Sequence, residues 1–160
     1  MQLVDKFKQA LPTETVSRPS RYDISRSADG VLVASTAFRA AALELLGDRS
    51  IEFTALRLGM HAMMPRKIVR FDAGKRRTQF EYRCQACGQY ESVIGATPVF
   101  LMDPSSLTPL DVARTDLEFG SDDEKRPMIL FGDEAARKLL ERPLKGLELL
   151  VNNTGDTGAA

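Results

Sequence analysis

The two cysteines of this chain stand together in Tyr82-Arg83-Cys84-Gln85-Ala86-Cys87-Gly88-Gln89, and no other stretch restricts the backbone as tightly. Two thiols three positions apart reach one point only from a tight turn, and a glycine behind the second thiol relieves the backbone strain of that turn. The geometry is that of one half of a zinc-binding knuckle. Structural zinc takes four ligands, so Cys84 and Cys87 need partners. The sole histidine, His61 in Gly59-Met60-His61-Ala62-Met63, is the third candidate, with Asp72 or Glu91 as a fourth. A second molecule completing a four-cysteine site across a dimer axis is the other route. The alternative without metal is a pair of reduced thiols holding a turn. Thioredoxin-type redox chemistry needs the first cysteine at a helix N-terminus, where the dipole lowers its pKa. Tyr90-Glu91-Ser92-Val93-Ile94 reads instead as a strand, which argues against it.

The flanking segments suggest what the knuckle is mounted on. Gly30 precedes the apolar run Val31-Leu32-Val33-Ala34, read as a buried strand. Ser35 or Thr36 supplies an N-cap, and Phe38, Ala41, Ala42, Leu45 and Leu46 share one helical face that Gly47 terminates. Ile51 to Leu56 alternates as a strand. A similar order returns later: Met128-Ile129-Leu130-Phe131, then a helix opened by Gly132-Asp133 with Ala135, Ala136, Leu139 and Leu140 inward. Pro143 stops it, and Leu147 to Val151 is read as a strand. These segments read as a duplicated strand–helix–strand unit; two amphipathic helices between strands would look alike without any duplication. Between the copies, Pro65 to Phe71 and Thr78 to Tyr82 read as a hairpin around Asp72-Ala73-Gly74-Lys75, with Tyr90 to Ile94 returning after the knuckle. The expected fold class is therefore α+β: two related strand–helix–strand units flanking a β hairpin with a CxxCG knuckle. Residues 1–22 form an amino-terminal arm, 23–151 a single domain, and 152–160 a small, polar, disordered tail.

Composition narrows the function. An apolar fraction of 43% across 160 residues supports a packed core. Lys+Arg and Asp+Glu balance at 22 each, so net charge invites neither nucleic acid nor a membrane. A lone Cys-x-x-Cys pair is not a disulfide framework. The start lacks a signal peptide's apolar run and no stretch is long enough to span a bilayer. A reducing cytoplasm is the expected location. With one histidine and no nucleophile elbow or phosphate-binding glycine loop, no hydrolase triad or nucleotide cradle is present. Asp123-Glu124-Lys125, with Asp111 or Asp116 upstream, matches a short metal-nuclease pattern, yet its charged surroundings before Pro127 read as a solvated loop. Lys75, Arg76 and Arg77, with Arg83 beyond, would contact phosphates in a zinc-ribbon nucleic-acid binder or read as a solvated tip.

The strand–helix–strand order, Arg83-Cys84-Gln85-Ala86-Cys87-Gly88-Gln89, and the closing run of Asp111-Val112-Ala113-Arg114, Met128-Ile129-Leu130-Phe131 and Gly146-Leu147-Glu148-Leu149 together resemble the bacterial double-CxxCG immunity proteins. That family carries two knuckles and this chain has one. The resemblance implies a small non-catalytic cytoplasmic protein that binds and neutralises a cognate toxin, with zinc as the candidate metal. The densest charge, Asp116, Glu118, Asp122, Asp123 and Glu124, is the expected partner-binding segment, set to meet a basic face. The competing reading is the zinc-ribbon-like nucleic-acid binder or regulator.

Overall fold

The computed structural model describes residues 21–27 and 30–152. The expected arm, apart from Arg21 and Tyr22, and the expected tail beyond Asn152 lie outside the described residues. The described chain is α+β, as expected, with two sheets and three helices.

The first sheet contains β1 (Ile24–Arg26), β2 (Leu32–Ala34), β3 (Ile51–Ala55) and β4 (His61–Pro65), in the antiparallel order β1-β2-β4-β3. Between β2 and β3 runs α1 (Thr36–Leu46). Its first turn is closed by Ser35, whose hydroxyl accepts from the Phe38 amide at 3.1 Å, as a capping serine does. The alternation of β2 feeds two apolar layers. Ala34 joins Phe38, Ala42, Ile51, Met63 and Val112 in the main core, while Val31 and Val33 turn to Met60 and Ala62 on the other side. The expected strand–helix–strand unit is present here, with β4 inserted between its two strands.

The second sheet is built on β8 (Val112–Ser121), which pairs with β5 (Lys67–Val69), β7 (Tyr90–Ile94) and β9 (Arg126–Phe131); β6 (Gln79–Arg83) pairs with β7. Two expectations are corrected. First, β5 does not form a hairpin with β6: it lies parallel to β8, Ile68 opposite Arg114. The expected turn at Asp72 to Lys75 is the start of a short helix, α2 (Ala73–Arg76), capped by the Asp72 carboxylate on the Lys75 amide at 2.8 Å. Second, Leu147–Val151 pairs with neither sheet. The second unit is β9 followed by α3 (Asp133–Leu140) and then coil, with Leu144 and Leu147 packed on the main core. Asn152, the first residue of the expected tail, is anchored: its side-chain amide accepts from Val99 N at 2.7 Å and donates to Val99 O at 2.8 Å.

Three contacts lock the sheets and ends together. Arg114 of β8, 7% exposed, donates through Nε to the Pro65 carbonyl at the end of β4, 3.1 Å away. Asp23 accepts from the Ser35 hydroxyl at 2.6 Å and from the Lys145 amide at 2.7 Å, so one carboxylate ties the chain's entry to the α1 cap and to the segment after α3. Gly132, at the β9–α3 junction, sits so close to the Thr108–Asp111 turn that an added Cβ would lie 2.1 Å from the Thr108 carbonyl oxygen. A bulge interrupts β8 between Arg114 and Glu118. The fully buried Thr115 repairs it, its hydroxyl accepting from Met128 N at 2.9 Å and donating to Leu117 O at 2.7 Å.

Candidate functional site

The knuckle is the turn that joins β6 to β7. Arg83 pairs with Tyr90 as the last rung. The Cys84 amide then donates to Gln89 O at 2.7 Å and the Gly88 amide to Cys84 O at 2.9 Å. Gly88 has φ +71, a left-handed value that a side chain resists, so the glycine is where the sequence pattern requires it. Both thiols are free and exposed. Hydrogen bonding from the Cys87 and Ala86 amides, then from the Cys87 side chain, holds the Cys84 pKa below the ordinary thiol value. Arg83 folds back over the turn, its Nε 3.4 Å from the Gly88 carbonyl. The cysteines lie between two strands and not at a helix mouth, the arrangement expected from sequence.

His61 is elsewhere. It belongs to β4 of the first sheet, with its ring edge-on to Phe53 at 6.4 Å. Its Nδ1 is buried and makes no hydrogen bond within the described residues. Burial, then the nearby Arg39 charge, lowers its pKa below the ordinary histidine value. Among the described residues no three His, Cys, Asp or Glu side chains converge on a point where they would hold a metal. The structure therefore unites Cys84 with Cys87 and separates both from His61.

The acidic segment divides. Asp116 spends one oxygen on the Phe71 amide, 2.8 Å away, and Glu118 lies half-buried, its charge acting on Arg114. Asp122, Asp123 and Glu124 form one exposed 3-10 turn between β8 and β9. Asp122 takes a left-handed φ of +50, which a short polar side chain tolerates. The turn is oriented from behind: Lys125 Nζ donates to the Tyr90 carbonyl, and Arg126 donates to the carbonyls of Asp123 and Lys125 at 2.5 and 2.6 Å. Because Ser121 opposes Ser92 in the antiparallel β7–β8 pair, the acidic turn and the knuckle occupy the same end of the second sheet. Tyr82, 72% exposed, stands two residues before Cys84 at that end. No spacing in the sequence announces this neighbourhood, since it depends on which strands pair.

The basic residues lie at the other end of β6, roughly 16 Å from the cysteines at about 3.3 Å per residue. Arg76 Nε donates to the Thr97 carbonyl at 2.6 Å, Lys75 Nζ covers the Phe100 ring at 4.9 Å, and Arg77 is the left-handed cap of α2. The nuclease-like carboxylates do not gather either: Asp111 accepts from Lys67 Nζ at 2.5 Å and from Thr108 N at 2.7 Å. A cavity lined by Arg26, Val31, Leu32, Met63, Arg126 and Ile129 encloses about 20 Å³, room for a water molecule and not for a substrate. Among the described residues no helix is long and apolar enough to cross a membrane.

Against known proteins, no family model, no curated protein and no solved structure matches this chain.

Proposed function

We propose that the chain is a non-catalytic protein-binding module that neutralises a cognate bacterial toxin, acting in the cytoplasm through the knuckle end of its second sheet. The observation that carries this reading is the exposed Asp122–Glu124 turn beside the knuckle, where no ion pair engages the three carboxylates among the described residues. Carboxylates on a fixed turn beside an exposed tyrosine suit a basic protein surface: the charges steer the encounter and the aromatic supplies contact area. Lys125 and Arg126 brace the turn through backbone carbonyls, so the local cations support the backbone behind it.

Co-expression with the product of the neighbouring gene, assayed as a toxin, tests the role. Restored growth and co-purification of the two proteins are the expected results. A toxin that kills equally with and without the chain, and that is not retained by it, contradicts the reading.

A further inference from the structure

We propose that Cys84 and Cys87 are half of a tetrahedral zinc site, completed by the same two residues of a second copy of this chain. It places a second copy on the knuckle end that the toxin-binding reading also uses, and its test by metal uptake is separate from the growth assay. The turn already has the form such a site needs. Its backbone is closed by the Cys84–Gln89 and Gly88–Cys84 hydrogen bonds. The two thiols stand three positions apart on this one turn, and both are exposed. Zinc–sulfur bonds of about 2.3 Å place the sulfurs of one tetrahedral edge about 3.8 Å apart, whereas a linear two-thiolate ion would need them about 4.6 Å apart. Adjacent sulfurs on one turn suit the tetrahedral edge.

These 160 residues hold no second pair of nitrogen or sulfur ligands for the metal. The full sequence contains two cysteines and one histidine, and His61 is committed to the first sheet with its Nδ1 buried. Zinc held by two thiolates alone would keep two open positions, unlike a closed structural site. A twofold axis through the metal brings an identical pair to those positions, since an isologous contact repeats the same patch from both sides. Each copy delivers its pair on an exposed turn with Tyr82 alongside, and the aromatic gains burial in the contact. Four thiolates on one zinc leave two negative charges, and each copy brings an Arg83 folded against its own knuckle. On binding, the thiols of both copies release their protons to buffer and form four zinc–sulfur bonds, with no change of oxidation state.

The test is a zinc titration of the reduced, metal-free full chain, followed by metal analysis and light scattering. One zinc per two chains is expected, with the mass doubling as zinc is added and returning to that of one chain with chelator. Cobalt in place of zinc gives the charge-transfer and d–d absorption of a tetrahedral tetrathiolate. Cys87→Ser abolishes dimer and cobalt spectrum while its far-ultraviolet circular dichroism matches the parent; His61→Gln leaves the one-to-two stoichiometry intact. One zinc per monomeric chain, no zinc uptake, a dimer indifferent to zinc or to Cys87→Ser, or loss of zinc binding in a folded His61→Gln variant would each overturn the proposal.

Discussion

The hydroxyl oxygens of Ser92 and Ser121 lie 2.9 Å apart across the pairing of β7 with the end of β8. This contact fastens the strand leaving the knuckle to the strand that enters the acidic turn. Ser92 is buried, at 8% exposure, while Ser121 at the strand end is exposed. Ser92→Ala is expected to cost about 1 kcal/mol, the usual net value of one such hydrogen bond. Amide exchange at Asp122 to Glu124 should quicken in the variant. Unchanged exchange there would show that the turn is held by its own backbone alone.

Thr115 offers a second, nearly isosteric test. Thr115→Val keeps the buried volume but leaves the Met128 amide and the Leu117 carbonyl without their bridge at the bulge. Stranding buried polar groups costs about 1–3 kcal/mol, which chemical unfolding would read as a lower midpoint with the same slope. A valine variant as stable as the parent would mean that the bulge relaxes to pair those groups itself.

Gly132 tolerates no side chain. A methyl group there would meet the backbone oxygens of Thr108 and Pro109 at 2.1 and 2.5 Å, and backbone cannot rotate away as a side chain can. Gly132→Ala should therefore destabilise by about 3 kcal/mol or more, seen as a depressed thermal midpoint. A midpoint within a degree of the parent would contradict the packing described at the β9–α3 junction.

Much of this architecture is legible in the sequence where local signals agree. The capped helix after Val31–Ala34, the apolar run before Gly132, and the turn at Cys84–Gly88 each combine an apolar pattern with a cap or a glycine of defined purpose. The reading fails where pairing is decided over distance. β4 is methionine-rich and ends in Pro65, so its strand character comes from lying between β2 and β3 and not from propensity. β8 is buried continuously over Val112 to Thr115 and then changes phase at its bulge, which hides any alternation. Leu147–Val151 has strand composition but pairs with neither sheet. Of the candidate site, the cysteine pair and the Asp122–Glu124 turn are readable as motifs. Their adjacency is not, because the β7–β8 pairing joins residues nearly thirty positions apart. His61 looks like a ligand in sequence only because nothing there reveals that it faces Phe53.

Asp23 makes the fold acid-sensitive. The Lys145 amide first, and then the Ser35 hydroxyl, hold its carboxyl below the ordinary aspartate value. A depressed carboxylate adds stability above the unfolded pKa of about 3.9, and that stability is lost as pH falls through the lower folded value. Asp23→Asn should therefore be less stable than the parent by about 1 kcal/mol at pH 7. The gap should narrow below about pH 4 as the parent's own carboxyl protonates. Parallel stability curves down to pH 2 would show that the charge on Asp23 is immaterial.

The central claim is that the Asp122–Glu124 turn meets a basic protein surface. Its most direct test is the association rate between this chain and the proposed toxin partner, followed by stopped flow across a range of salt concentrations. With Asp122, Asp123 and Glu124 all changed to Lys, association should slow at least tenfold at low salt, and its dependence on salt should flatten or reverse, as loss of electrostatic steering requires. Rates and salt slopes equal to those of the parent chain would contradict the account.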